Sequence, residues 1–126
     1  MVCVFGDTHG VHGINKVFNY YDRFEQYITN DDCFIILGDF ALPYYPINHF
    51  QNERELRTLE ELEKLKCKIL VVDGNHEYFE YLDKCEEIDM FGSKVGKIWN
   101  NVYHLKRGEI YQIEDRSFFI FGGALS

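Results

Sequence analysis

Carboxylate, imidazole and amide side chains fall in three short segments of this chain. They are Asp7 and His9 in Phe5-Gly6-Asp7-Thr8-His9-Gly10, Asp39 in Leu37-Gly38-Asp39, and Asn75, His76 and Glu77 in Asp73-Gly74-Asn75-His76-Glu77. Oxygen and nitrogen donors gathered at one point suit a divalent ion of the manganese, iron or zinc kind, and suit magnesium less well because of the histidine. Asp7 and His9 differ by two positions, so a regular strand puts them on one face and a loop after a strand lets them converge on one ion. Taken alone, the pair also reads as a helix-capping aspartate beside an exposed histidine. Each segment follows a short apolar run. Three strands would therefore carry Asp7, His9, Asp39, Asn75 and His76 to the same edge of one sheet.

The elements that must position these residues follow from hydrophobic patterning. Met1 to Phe5 is a run of the buried-strand type. Ile14 to Thr29 carries Ile14, Val17, Phe18, Tyr21, Phe24, Tyr27 and Ile28 as a helical stripe, and Asn30, Asp31 and Asp32 end it in turn chemistry. Cys33 to Leu37 is the second strand. Phe40 to Asn48, with both prolines and the Tyr44-Tyr45 pair, is a loop overhanging the site. Phe50 to Lys66 is a charged helix with leucines at Leu56, Leu59, Leu62 and Leu65; its acidic residues from Glu53 to Glu63 read as a solvated face. Lys68 to Val72 is the third strand, and a short helix runs near Tyr78 to Lys84.

Such alternation implies parallel strands joined by right-handed crossovers, with ligands bound outside the carboxyl ends of the strands. Met90 to Asn101 is glycine-containing and reads as irregular. Val102 to Leu105 reads as a strand. Glu109 to Ile113 and Ser117 to Phe121 read as a hairpin around Glu114-Asp115-Arg116, opening a second sheet. Phe118-Phe119-Ile120-Phe121 is apolar on both alternating faces, so both need cover.

The three segments resemble the calcineurin-like metallophosphoesterase superfamily, whose signature runs Asp-x-His, Gly-Asp, Gly-Asn-His-Glu. The resemblance implies an α/β layered fold and hydrolysis of phosphomonoesters or phosphodiesters at a two-metal site with a bridging hydroxide. It implies metal ligation by Asp7, His9, Asp39 and Asn75, with Asp39 bridging the ions. His76 would face the phosphate and assist the leaving group, and Glu77 would orient its neighbours from behind. Two ions about 3.5–4 Å apart can neutralise phosphate oxygens and stabilise in-line displacement. Manganese is the first choice, with iron or zinc as alternatives.

The family pattern continues with a histidine from a later strand end and a Gly-His-x-His loop, and neither occurs in these 126 residues. The expectation is a single domain, 1–126, forming the N-terminal portion of the fold, with Phe121 to Ser126 at the rim of the site. Two divalent ions belong to the intact fold and one or none to this chain alone. The alternative is a truncated, catalytically impaired domain that binds metal or self-associates. A receiver-like or nucleotide-binding α/β fold fits less well, because it has no role for Asn75-His76-Glu77 and no P-loop spacing is present.

Composition limits partners. A net charge of −8 argues against a broad nucleic-acid footprint, while bound divalent ions would still admit a phosphate-ester or nucleotide substrate. No apolar run is long enough to cross a bilayer. Cys3, Cys33, Cys67 and Cys85 form no Cys-x-x-Cys pair, and no leader pattern precedes the first strand. A reducing cytoplasm is the expected location. An aromatic content of 17% exceeds what isolated exposure accommodates, so a covering segment or a second copy is the expected partner for uncovered apolar surface. His12 is read as an exposed loop residue in preference to one that approaches the substrate, and His49 and His104 as structural or surface residues. Tyr44 and Tyr45 read equally as an aromatic wall for a ring or as a rigid packed loop. Lys94, Lys97, Lys106 and Arg107 read as solvated surface.

Overall fold

The computed structural model describes residues 1–121. Gly122 to Ser126, the larger part of the segment expected at the rim of the site, lie outside the described residues. Strands β1 (Val2–Phe5), β2 (Cys33–Leu37) and β3 (Lys68–Val72) alternate with helices α1 (Asn15–Phe24) and α2 (Asn52–Glu63). A short helix α3 (Phe79–Lys84) follows, then β4 (Glu86–Met90), β5 (Ser93–Trp99), β6 (Val102–Leu105), β7 (Ile110–Ile113) and β8 (Arg116–Phe119). The main sheet runs β1-β2-β3-β6-β5-β4, parallel through β6 and antiparallel beyond it, while β7 and β8 form a separate antiparallel pair.

Successive strands added on one side through crossovers of one hand leave their helices on one face of the sheet. Phe34 and Ile36 of β2 and Ile69 and Val71 of β3 accordingly pack with Val17 and Tyr21 of α1, Leu59 and Leu62 of α2, and Leu82 of α3. The alternate residues Cys33, Ile35, Leu70 and Val72 face the other way, against Tyr111, Ile113 and Ile120 of the β7–β8 layer. Because β2 and β3 are covered on both faces, they read as unbroken apolar runs. Tyr111 fastens the second layer to the first: its hydroxyl donates to the Lys94 carbonyl at 2.5 Å and accepts from the Lys106 N–H at 2.8 Å.

Helix limits are tighter than the apolar stripe suggests. The first helix stops at Phe24, and Glu25–Tyr27 turns as a 3-10 segment that brings Ile28 back into the core. The larger correction concerns 90–101, which is a hairpin arm and not irregular chain. Met90 pairs with Ser93 across a two-residue turn in which Phe91 (φ 55°) and Gly92 (φ 80°) are both left-handed. That is the turn geometry matching strand twist, usually signalled by Asn-Gly or Asp-Gly. Here Phe91 packs its ring against the second core cluster, and its carbonyl accepts from the Gln112 N–H at 2.9 Å, so tertiary contacts hold the turn that local chemistry does not announce.

Candidate functional site

The loops that follow β1, β2 and β3 are stitched to one another by main-chain bonds. His9 N–H donates to the Asp39 carbonyl at 2.7 Å and Gly10 N–H to the Phe40 carbonyl at 2.9 Å; Gly38 N–H donates to the Val72 carbonyl at 2.8 Å. His9 and Asp39 both sit at φ 49°, a left-handed conformation uncommon for non-glycine residues, among which Asp and His enter it most readily. The third loop approaches so closely that a Cβ on Gly74 would lie 2.2 Å from Asp39 Oδ1.

These constraints bring His9, Asp39 and His76 together, with one donor atom from each within 4.8 Å of the others. Asp39 is the centre, its side chain only 12% exposed. Its Oδ1 accepts from the His76 N–H at 2.8 Å, and its Oδ2 lies 3.1 Å from His76 Nδ1 and 3.7 Å from His9 Nε2. Burial works to raise the Asp39 carboxyl, but the His76 N–H, the His76 ring and the His9 charge outweigh it and hold it below the ordinary carboxylate value. Asp7, half exposed, joins the group through His9, with Oδ2 2.6 Å from Nε2. Asn75 is exposed in the same turn as His76. The resemblance has His76 facing the phosphate; its ring lies within the donor group and contacts Asp39 directly.

Glu77 stands behind this group. Its Oε2 accepts from Phe40 N–H at 3.1 Å and Gly74 N–H at 2.9 Å, and its Oε1 from Ala41 N–H at 2.8 Å. One carboxylate thus ties the second loop to the third. Burial, which those N–H bonds do not fully offset, pushes its carboxyl above the usual carboxylate pKa, as does the Asp39 charge.

A cavity of about 260 Å³ opens beside His9 and His76 and is also lined by Tyr44, Tyr45 and Arg54. His12 also lines it. Its wall rests on a residue that the sequence reading put on a solvated face. Glu55 is 3% exposed, and its two oxygens accept from Tyr44 N–H and Tyr45 N–H at 3.0 Å each. Its spacing to Leu59 and Leu62 was the available signal, because 55, 59 and 62 share one buried helical stripe. His49 stacks between Tyr45, at 4.2 Å, and Phe50, at 4.6 Å.

A second cluster lies at the ends of β3 and β6. Asp73, 3% exposed, receives His104 Nε2 at 2.8 Å and Arg107 Nε at 2.6 Å. Burial would raise its carboxyl, yet the His104 ring and the Arg107 guanidinium outweigh burial and keep it low. Lys106 pairs with Glu87 and Lys94 with Asp89.

A sheet that gathers carboxylates and imidazoles at the carboxyl edge of its parallel strands has the build of a metal-binding α/β protein. The family model described as calcineurin-like phosphoesterase matches residues 1–125. The chain belongs to that family. No curated protein and no solved structure gives a match. Among the described residues, no helix is long and apolar enough to cross a membrane.

Proposed function

We propose that this chain carries a metal-dependent phosphoesterase site acting on phosphomonoesters or phosphodiesters through two divalent ions. The observation that supports this most is the convergence of His9, Asp39 and His76 donor atoms within 4.8 Å at the carboxyl edge of parallel strands. The residues read as ligands there, Asp7, His9, Asp39 and Asn75, mix carboxylate, imidazole and amide donors, which fits manganese, iron or zinc. Ions bound there supply Lewis-acid neutralisation of phosphate oxygens and an activated water for in-line displacement.

The chain's own residues do the rest. Asp7, His9 and Asn75 would hold the ions together with Asp39. Its Oδ1 is engaged by the His76 N–H, which fixes the carboxylate's orientation. His76 Nδ1 is taken up by Asp39, leaving Nε2 as the atom able to pass a proton to the leaving oxygen. Glu77 holds the main chain of both flanking loops. Bound metal per chain after manganese loading, with hydrolysis of bis(p-nitrophenyl) phosphate on the same sample, tests the reading. Metal binding with turnover, both lost in Asp39→Asn, is the expected result. Unchanged affinity and hydrolysis in that variant would overturn the site assignment.

One observation favours a second reading, a domain that self-associates. Val4 and Leu37, on the sheet face of Ile35, are 56% and 51% exposed, and Phe119 and Phe121 of the second layer are 54% and 76% exposed. Under this reading the protein is dimeric or larger at micromolar concentration by light scattering, and Phe119→Ser shifts it toward monomer. A monodisperse monomer counts against it.

A further inference from the structure

We infer that the cavity beside His76 selects phosphate esters bearing a flat aromatic group, and that Tyr44 is the surface on which that group stacks. The inference rests on the phosphoesterase reading of the adjoining site. Three observations support it. First, one cavity is lined by Tyr44, Tyr45 and Arg54 as well as by His9 and His76, at a volume of about 260 Å³ that takes a ring beside a phosphate. Second, the wall is built in advance. Tyr45 is sandwiched edge-on to Tyr44 (5.3 Å, 88°) and face-to-face on His49 (4.2 Å, 15°), which commits its own ring. Tyr44 is held at its N–H by the buried Glu55 yet keeps 43% of its surface exposed. An aromatic ring fixed at its backbone and partly exposed can serve as a stacking platform that loses little conformational freedom when a ligand arrives. Third, the guanidinium of Arg54 makes no ion pair or hydrogen bond among the described residues. The Glu55 carboxylate next to it is already satisfied by two N–H groups. Arg54 therefore gives the pocket an unspent positive charge suited to an anionic ester.

The ligand chemistry is an aromatic ring joined to a phosphate, whether the ring is a nucleobase or a simple aryl group. Two matched pairs of probes, titrated into the manganese-loaded protein, read it. Adenosine 5′-monophosphate and ribose 5-phosphate differ only in the base; phenyl phosphate and methyl phosphate differ only in the ring. The expected result is tighter binding of the ring-bearing member by about tenfold, the order that one aromatic stacking contact gives. Preference within the first pair alone assigns the ring to a nucleobase, and within both pairs to aromatic groups at large. Tyr44→Ala should erase the preference and Tyr44→Phe should retain it. Equal affinity within both pairs, in a protein that binds inorganic phosphate in a manganese-dependent way, overturns this inference and leaves the phosphoesterase reading standing. No manganese-dependent phosphate binding overturns both.

Discussion

At the scale of single residues the site is a problem of close approach. Asp39 reaches His9 and His76 only because the third loop passes over it with nothing but hydrogen at position 74. A methyl group there would meet the Asp39 carboxylate at 2.2 Å and its N–H nitrogen at 2.5 Å, so one of two tied backbones must move. Gly74→Ala is thus expected to weaken manganese affinity by about 10–100-fold, the range typical of disturbing groups that orient metal ligands. Isothermal titration with manganese measures it, and wild-type affinity would show that the loops yield without loss. The donor types and their positions at strand ends were legible in the sequence, because Asp7, His9, Asp39 and His76 each follow an apolar run. The direct His76–Asp39 contact was not, since it depends on left-handed backbone at His9 and Asp39 that residue type does not reveal.

At the scale of elements, α2 acts as a bracket for the loop it follows. Glu55 points inward with Leu59 and Leu62 and accepts the Tyr44 and Tyr45 N–H groups, while Asn52 Nδ2 donates to the Tyr45 carbonyl at 3.0 Å. Exchanging Glu55 for glutamine replaces one accepting oxygen with a donor facing an N–H. Glu55→Gln should therefore destabilise the protein by about 1–3 kcal/mol, the cost of stranding a buried polar group. Urea unfolding reads that difference at unchanged m-value. An unchanged midpoint would mean the loop is held by other contacts. The same residue shows where pattern reading fails. A glutamate amid Glu53, Glu60, Glu61 and Glu63 looks like one more solvated charge, and only its helical phase separates it from them. The β4–β5 hairpin escaped for a related reason. Its turn is Phe91-Gly92, whose left-handed phenylalanine is stabilised by packing and by the Gln112 N–H and not by turn residues. The insertion of β6 between β3 and β5 likewise follows from pairing of distant segments, which no local pattern encodes.

At the scale of the whole molecule, the sheet is sealed unequally: helices cover one face, and the β7–β8 pair covers part of the other. Two cysteines record how tightly the centre is closed. Cys33 and Cys67 are 1% and 0% exposed, and burial pushes their thiols from 9.0 up to about 11 and about 12 respectively. Burial also raises the phenols of Tyr81 and Tyr111 above 10.0. The consequence for stability has a definite sign. Below pH 9 these thiols are protonated in folded and unfolded chains alike, so their contribution is intact. Above pH 9 the unfolded chain releases their protons while the folded core retains them, which favours unfolding. Stability is therefore lost as pH rises from about 9 toward the folded values of about 11 and about 12. The thermal midpoint should fall across pH 9 to 11, and it should fall less steeply in Cys67→Ala, which lacks the most perturbed of the two thiols. A variant that loses stability as steeply as wild type over this range would show that Cys67 ionises as freely in the folded protein as in the unfolded one, and that the core around β3 admits water.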